Sequence, residues 1–195
     1  MKRLASIVLG MLVVLGMLSL YRLYQDSSPT PSEAVNSYIT RITSKSPQKI
    51  VSVNIVSSMP FNKESGEQVL LFQAYDCGLH IHIAGYATIK KNLFGWHVDQ
   101  FQMTGKSPLP RDVMAGLDWS DGIPIVYGQV FLGDVVSVEA VFSDPNQGLI
   151  IGSADVARGH FVIFGTPYSE LTTLKLLDGN GNVLKQLTGD ELQNG

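Results

Sequence analysis

The chain opens on an unbroken apolar run. From Leu4 to Tyr21, "LASIVLGMLVVLGMLSLY", 18 consecutive positions carry no charge, and Lys2 and Arg3 stand just before them. At about 1.5 Å per helical residue, such a run is roughly as long as a bilayer core is thick. The pattern predicts an uncleaved transmembrane signal-anchor. The basic stub puts the N-terminus in the cytoplasm and everything after Tyr24 outside. Two other readings compete with it. A cleaved signal peptide wants small residues at its cleavage site, but "LSLYRLYQDSS" offers Leu20, Tyr21, Leu23 and Tyr24, with no cysteine nearby for a lipid. A buried core helix is the third reading. Tyr21 and Tyr24 suit an interfacial aromatic belt and favour the anchor.

After this run the periodicity changes. "QDSSPTP" (25–31) is polar and proline-containing, as a short stalk is. "TPSE" (30–33) then has the form of a helix start, with Thr30 as cap, Pro31 in the first turn and Glu33 at the third position. Ala34, Tyr38 and Ile42, with Val35 and Ile39 beside them, recur at helical spacing, and the helix is expected to end near Lys45. Four β segments follow: "KIVSVNIVSS" (49–58), "EQVLLFQAYD" (67–76), "LHIHIAGYATIKK" (79–91) and "LFGWHVDQFQM" (93–103). A helix followed by an antiparallel meander predicts a helix packed across one face of a four-stranded sheet.

Residues 104–124 hold three prolines and three glycines with little periodicity, and read as a linker. Beyond them, six short apolar or alternating runs are separated by turn-like "LGD", "DPNQ", "ARG", "TPYSE" and "GNG". That spacing predicts a small β-sandwich. The expected fold class is therefore α+β followed by all-β: an N-terminal transmembrane helix, a helix plus four-stranded antiparallel sheet, then the sandwich. The expected boundaries are 1–25 for stub and signal-anchor, 26–104 for the α+β domain, 105–122 for the linker and 123–195 for the sandwich.

In element order, residues 30–104 resemble the cystatin-like and NTF2-like folds. The ending "LKLLDGNGNVLKQL" resembles the closing hairpin of bacterial extracellular Ig-like modules. As a whole the chain resembles the uncharacterised single-pass, membrane-anchored extracytoplasmic proteins of bacteria, especially Gram-positive ones. That resemblance implies a location and an architecture rather than a reaction.

Charge narrows the partners. Residues 26–104 balance six basic against six acidic side chains, whereas 105–195 carry five against eleven. No basic stripe is present, so nucleic-acid binding has no electrostatic footing. The single cysteine, Cys77, cannot form an intramolecular disulfide or join a Cys-rich metal cluster.

The densest chemistry lies in "DCGLHIHIAGYATIKKNLFGWHVD" (76–99), with Cys77, three of the four histidines and one of the two tryptophans. Strict alternation puts Ile81, Ile83, Gly85, Ala87 and Ile89 on one face and His80, His82, Tyr86 and Thr88 on the other. A two-residue turn at Cys77-Gly78 pairs Asp76 with Leu79, so that His80 faces Tyr75 and His82 faces Gln73. A second turn at Lys91-Asn92 pairs Tyr86 with His97, about 13 Å along the strand from His82 and too far to share one ion. This register makes His80, His82, Tyr86, Tyr75 and Phe101 a candidate ligand or partner face, with Val69, Leu71 and Met103 beside them. An H-x-H pair is also how several zinc and copper sites begin, but Gln73, Tyr75, Phe101 and Met103 are poor further ligands for zinc. No metal or cofactor is expected. So apolar a face is expected to meet the second domain, a partner or a pocket.

Other motifs fail on inspection. "TGKSP" (104–108) ends like a phosphate loop, but Gln100 stands where the first glycine belongs and Pro108 where the helix starts. "DGNGN" (178–182) begins like a calcium loop, but Val183 and Gly189 replace its glycine and bidentate glutamate, which leaves a hairpin turn. Asp118 and Asp121 in "LDWSDG" are paired acids near a tryptophan, in a linker where aspartates commonly cap and turn. The sequence thus predicts a non-enzymatic, membrane-anchored extracytoplasmic binding or interaction protein of the bacterial cell envelope, touching the membrane through residues 4–21. The alternatives are a small-ligand-binding sheet and, with the least support, an envelope hydrolase or metal-binding protein.

Overall fold

The computed structural model describes residues 2–44, 50–62, 66–104, 112–120, 122–156 and 158–193, without the side chains of 2–9, 52, 62 and 193. Helix α1 (Lys2–Gln25) leads into α2 (Pro31–Thr43). Thr30 caps α2 as its sequence predicts, its hydroxyl accepting the Glu33 amide at 3.2 Å with Pro31 in the first turn. Strands β1 (Ile50–Asn62), β2 (Glu67–Asp76), β3 (Ile81–Asn92) and β4 (Gly95–Thr104) form an antiparallel meander in sequential order. Ala34, Val35 and Ile39 of α2 are buried, and Val35 and Ile39 pack with Leu70, Phe72, Ile83, Ala87 and Ile89 on one face of this first sheet.

Seven further strands make two more sheets. The middle sheet has the order β5 (Val113–Ser120), β6 (Ile123–Val130), β9 (His160–Phe164). The outer sheet has the order β11 (Val183–Thr188), β10 (Glu170–Leu177), β7 (Ser137–Asp144), β8 (Gly148–Asp155). Val126, Phe161 and Ile163 of the middle sheet face Val138, Ala140, Phe142, Leu174 and Leu176 of the outer one, giving the sandwich core. The opposite face of the middle sheet, with Ile125, Tyr127 and Val162, meets Val69, Leu71 and Tyr86 of the first sheet. The order of layers is therefore helix, sheet, sheet, sheet. Because the middle sheet is covered on both sides, β6 and β9 read as near-continuous apolar runs rather than alternating ones.

The expected class is corrected here. Among the described residues the fold is mostly β, with little helix and several sheets stacked on one another. Strand β5 occupies Val113–Ser120, inside the segment expected to be linker. Among the described residues no helix is long and apolar enough to cross a membrane, so the transmembrane signal-anchor is not retained.

Two turns differ from their expected register. The β2–β3 connection is a four-residue loop, Cys77 to His80, pairing Asp76 with Ile81 and Tyr75 with His82. Asp76 sets it by accepting the amides of Gly78 and Leu79 through Oδ1, at 2.8 and 3.1 Å, and His80 takes a left-handed φ of 56°. A slip of two residues preserves which side chains share a face. The β3–β4 turn is Leu93-Phe94, with Asn92 opposite Gly95 and Lys90 opposite His97. A bulge then inserts Asp99: Ile89 pairs with Val98, but Thr88 pairs with Gln100. One extra residue reverses the parity of the rest of β4. Trp96 and Val98 face the helix before the bulge, and Phe101 and Met103 face it afterwards.

Candidate functional site

The five residues of the expected face end in three places. Tyr75, His80 and His82 stay together at the open end of β2 and β3. The Tyr75 hydroxyl lies 3.2 Å from His80 Nδ1, and its ring centroid is 5.3 Å from that of His82. Both histidines are exposed, at a loop tip shared with half-buried Cys77. Phe101 has gone to the opposite face, stacked on Phe72 at 5.2 Å and packed against Tyr38 of α2 at 5.1 Å. The bulge at Asp99 is the reason for that displacement.

Tyr86 takes the third place, fully buried between the first and middle sheets. Its hydroxyl donates to Asp118 Oδ2 of β5 at 2.6 Å, and its ring meets Tyr127 of β6 edge-on with centroids 4.9 Å apart. Gly116 of β5, opposite Tyr127 in the ladder, makes room for that ring. A Cβ on Gly116 would stand 2.7 Å from the Tyr127 hydroxyl. Burial first, then the hydrogen bond and charge of Asp118, hold the Tyr86 phenol protonated far above the ordinary tyrosine range. Burial and the same carboxylate push Tyr127 up to about 12. Asp118, read from the sequence as one of two acids in a linker, is thus the polar anchor of a sheet-to-sheet junction. Asp121 lies outside the described residues, as does "GKSP" (105–108). The signal for Asp118 was the alternation in "VMAGLDWS", where Val113, Ala115 and Leu117 take the sandwich side and Asp118 the other.

The space in which a sheet-bound ligand would sit is filled by Val69, Leu71, Tyr86, Ile125, Tyr127 and Val162. A separate cleft of about 240 Å³ opens between the end of α1, α2 and the β3–β4 hairpin. Several of its polar members are already engaged. Asn92 Nδ2 donates to Ser27 Oγ at 2.9 Å, Asn92 Oδ1 accepts the Phe94 and Gly95 amides, and Arg41 pairs with Asp26. Among the described residues no group of three His, Cys, Asp or Glu side chains is placed to hold a metal ion. At 178–182 the Asp178 carboxylate accepts the amides of Asn180 and Asn182 and the Asn182 side chain, which closes the turn into β11. Those bonds hold the carboxyl below its usual range.

No family model, curated protein or solved structure matches the chain.

Proposed function

We propose that the chain is a non-enzymatic binding or interaction protein of the bacterial cell envelope, working on the extracytoplasmic side in contact with a membrane. The observation that carries this reading is the bare apolar surface of α1. Between Met11 and Tyr24 its large side chains stand in solvent, with Met11 63% and Met17 65% exposed and Leu12, Leu15, Leu18 and Tyr21 alike. A surface of that kind is covered in use, and the surface of a membrane is one medium that covers it. The stacked sheets support a binding role over the ligand-enclosing alternative, since Tyr86 and its neighbours are packed on protein.

Fractionation of cells producing the full chain tests the reading. The protein is expected in the membrane fraction, and recovery in the soluble fraction counts against it. A Leu149→Cys variant in a Cys77→Ser background, exposed on the outer sheet, is expected to react with an impermeant thiol reagent in intact cells. Labelling only after lysis overturns the location. Photocrosslinking groups at exposed outer-sheet positions such as Ile151 are expected to capture one envelope component. No adduct from any such position speaks against the binding role.

A further inference from the structure

Turns between strands normally carry Gly, Asn, Asp, Ser or Pro, yet the β3–β4 turn presents Leu93 and Phe94 at its tip. Leu93 is 94% exposed, the most exposed large apolar side chain among the described residues, and Phe94 is exposed beside it. The turn does not need apolar residues there. Asn92 Oδ1 closes it by accepting the amides of Phe94 at 2.8 Å and Gly95 at 3.1 Å, whatever side chains positions 93 and 94 carry.

The tip is also fixed against the end of α1. Ser28 and Trp96 exchange both backbone hydrogen bonds, at 2.7 and 2.8 Å, and Ser27 bonds Asn92. Gly95 permits this approach, with a φ of 140° and the Ser28 carbonyl oxygen 2.4 Å from where a Cβ would stand. Across the junction Phe94 meets Tyr24 edge-on, with centroids 5.8 Å apart. Tyr21, Tyr24, Phe94 and Leu93 therefore make one aromatic and apolar surface that continues the bare face of α1. Two exposed cations border it: Arg22 in the last turn of α1, and Lys91 with its ammonium 5.7 Å from the Trp96 ring.

We propose that the Leu93-Phe94 tip is a lipid-docking element, inserted with Tyr21 and Tyr24 at the interface of an anionic membrane. It rests on the membrane contact proposed above for α1. The occupant follows from continuity with that surface and from charge. Aromatic rings prefer the headgroup level of a bilayer, and Arg and Lys beside them reach lipid phosphates. Docking at two points, helix and turn, fixes the tilt of the sheet stack relative to the membrane, which one helix does not do.

The test uses the full chain with vesicles of phosphatidylethanolamine and phosphatidylglycerol carrying brominated acyl chains. An environment-sensitive fluorophore is placed at Leu93→Cys or Leu149→Cys, each in a Cys77→Ser background. At Leu93 a blue-shifted emission is expected, with about threefold stronger quenching than at Leu149, because interfacial elements bury to roughly 5–10 Å. Leu93→Trp, read as the quenching gained over the parent chain with its own Trp96 and Trp119, repeats the readout without touching Cys77. Equal quenching at Leu93 and Leu149 on vesicles that carry the protein overturns the docking element alone. A chain that fails to float with the vesicles overturns the membrane contact of α1 as well.

Discussion

Removing one oxygen atom tests how the first sheet is joined to the sandwich. In a Tyr86→Phe variant the ring keeps its place against Tyr127, and only the 2.6 Å bond to Asp118 is lost. A hydrogen bond to an ionised group contributes about 1.5–3 kcal/mol when sheltered. Asp118 is half-buried, so water partly replaces the phenol, and a loss of about 1–2 kcal/mol is expected. In urea this moves the midpoint down by roughly 0.5–1 M for a slope near 2 kcal/mol/M. Asp118→Ala leaves the buried hydroxyl without its acceptor and costs at least as much. The double variant is expected to show a coupling of about 1–2 kcal/mol. Tyr86→Ala removes the ring as well and costs about 3–5 kcal/mol. In single-tryptophan variants, the fluorescence of Trp96 on the first sheet and of Trp119 on the middle one follows each side separately. With the junction intact the two report one transition. Tyr86→Ala is expected to separate them, the first sheet unfolding at lower urea. A Tyr86→Phe midpoint within about 0.3 kcal/mol of the parent, with no coupling to Asp118, would refute the role given to this bond.

Three further outcomes follow from the same packing. Tyr86 and Tyr127 have raised folded pKa values, so their contribution is intact below the ordinary tyrosine value and is lost above about pH 10, as the unfolded chain gives up its protons first. Alkaline titration of the urea midpoint is expected to show that fall, less steep in Tyr86→Phe. His160 is 1% exposed and Nδ1 lies 3.0 Å from the Arg158 carbonyl oxygen, while Nε2 is buried without a partner. Burial lowers its folded pKa, so the unfolded chain takes up the proton first and stability drops as pH falls below about 6.5. The loss between pH 7.5 and 5.5 is expected to be smaller in His160→Gln, and an equal loss in both chains would remove His160 as the cause. Gly85→Ala places a Cβ 2.4 Å from the Gln102 carbonyl oxygen and from Phe72 Cζ, and is expected to cost about 1–3 kcal/mol. A midpoint unchanged by that substitution contradicts the close packing of β3 against β4.

Local pattern settled a good deal of this protein. The cap at Thr30, the inward face of β3, the Asp178 turn and the spacing of the sandwich strands all rest on interactions within a few residues. The sequence of α3 (Gly189–Gln193) also carried its own signal. Thr188 and Glu191 exchange capping bonds in the T-x-x-E pattern, at 2.7 and 3.4 Å, and no longer apolar run announced the helix. Alternation told which side chains of β3 belong together, and a turn that slips by two residues leaves that intact.

What tertiary structure decided is which neighbours those faces meet. The bulge at Asp99 carried Phe101 and Met103 to the helix side, and a single inserted residue leaves no trace in a period-two pattern. Strand β5 is held by its ladder to β6, although its own sequence reads as linker. The aromatic character of the Tyr86 face has its explanation in Asp118, Ile125, Tyr127 and Val162, which lie 32 to 76 residues further along the chain. A strand's own sequence records that a face is apolar. Only the folded chain, bringing distant strands into one layer, determines what covers it.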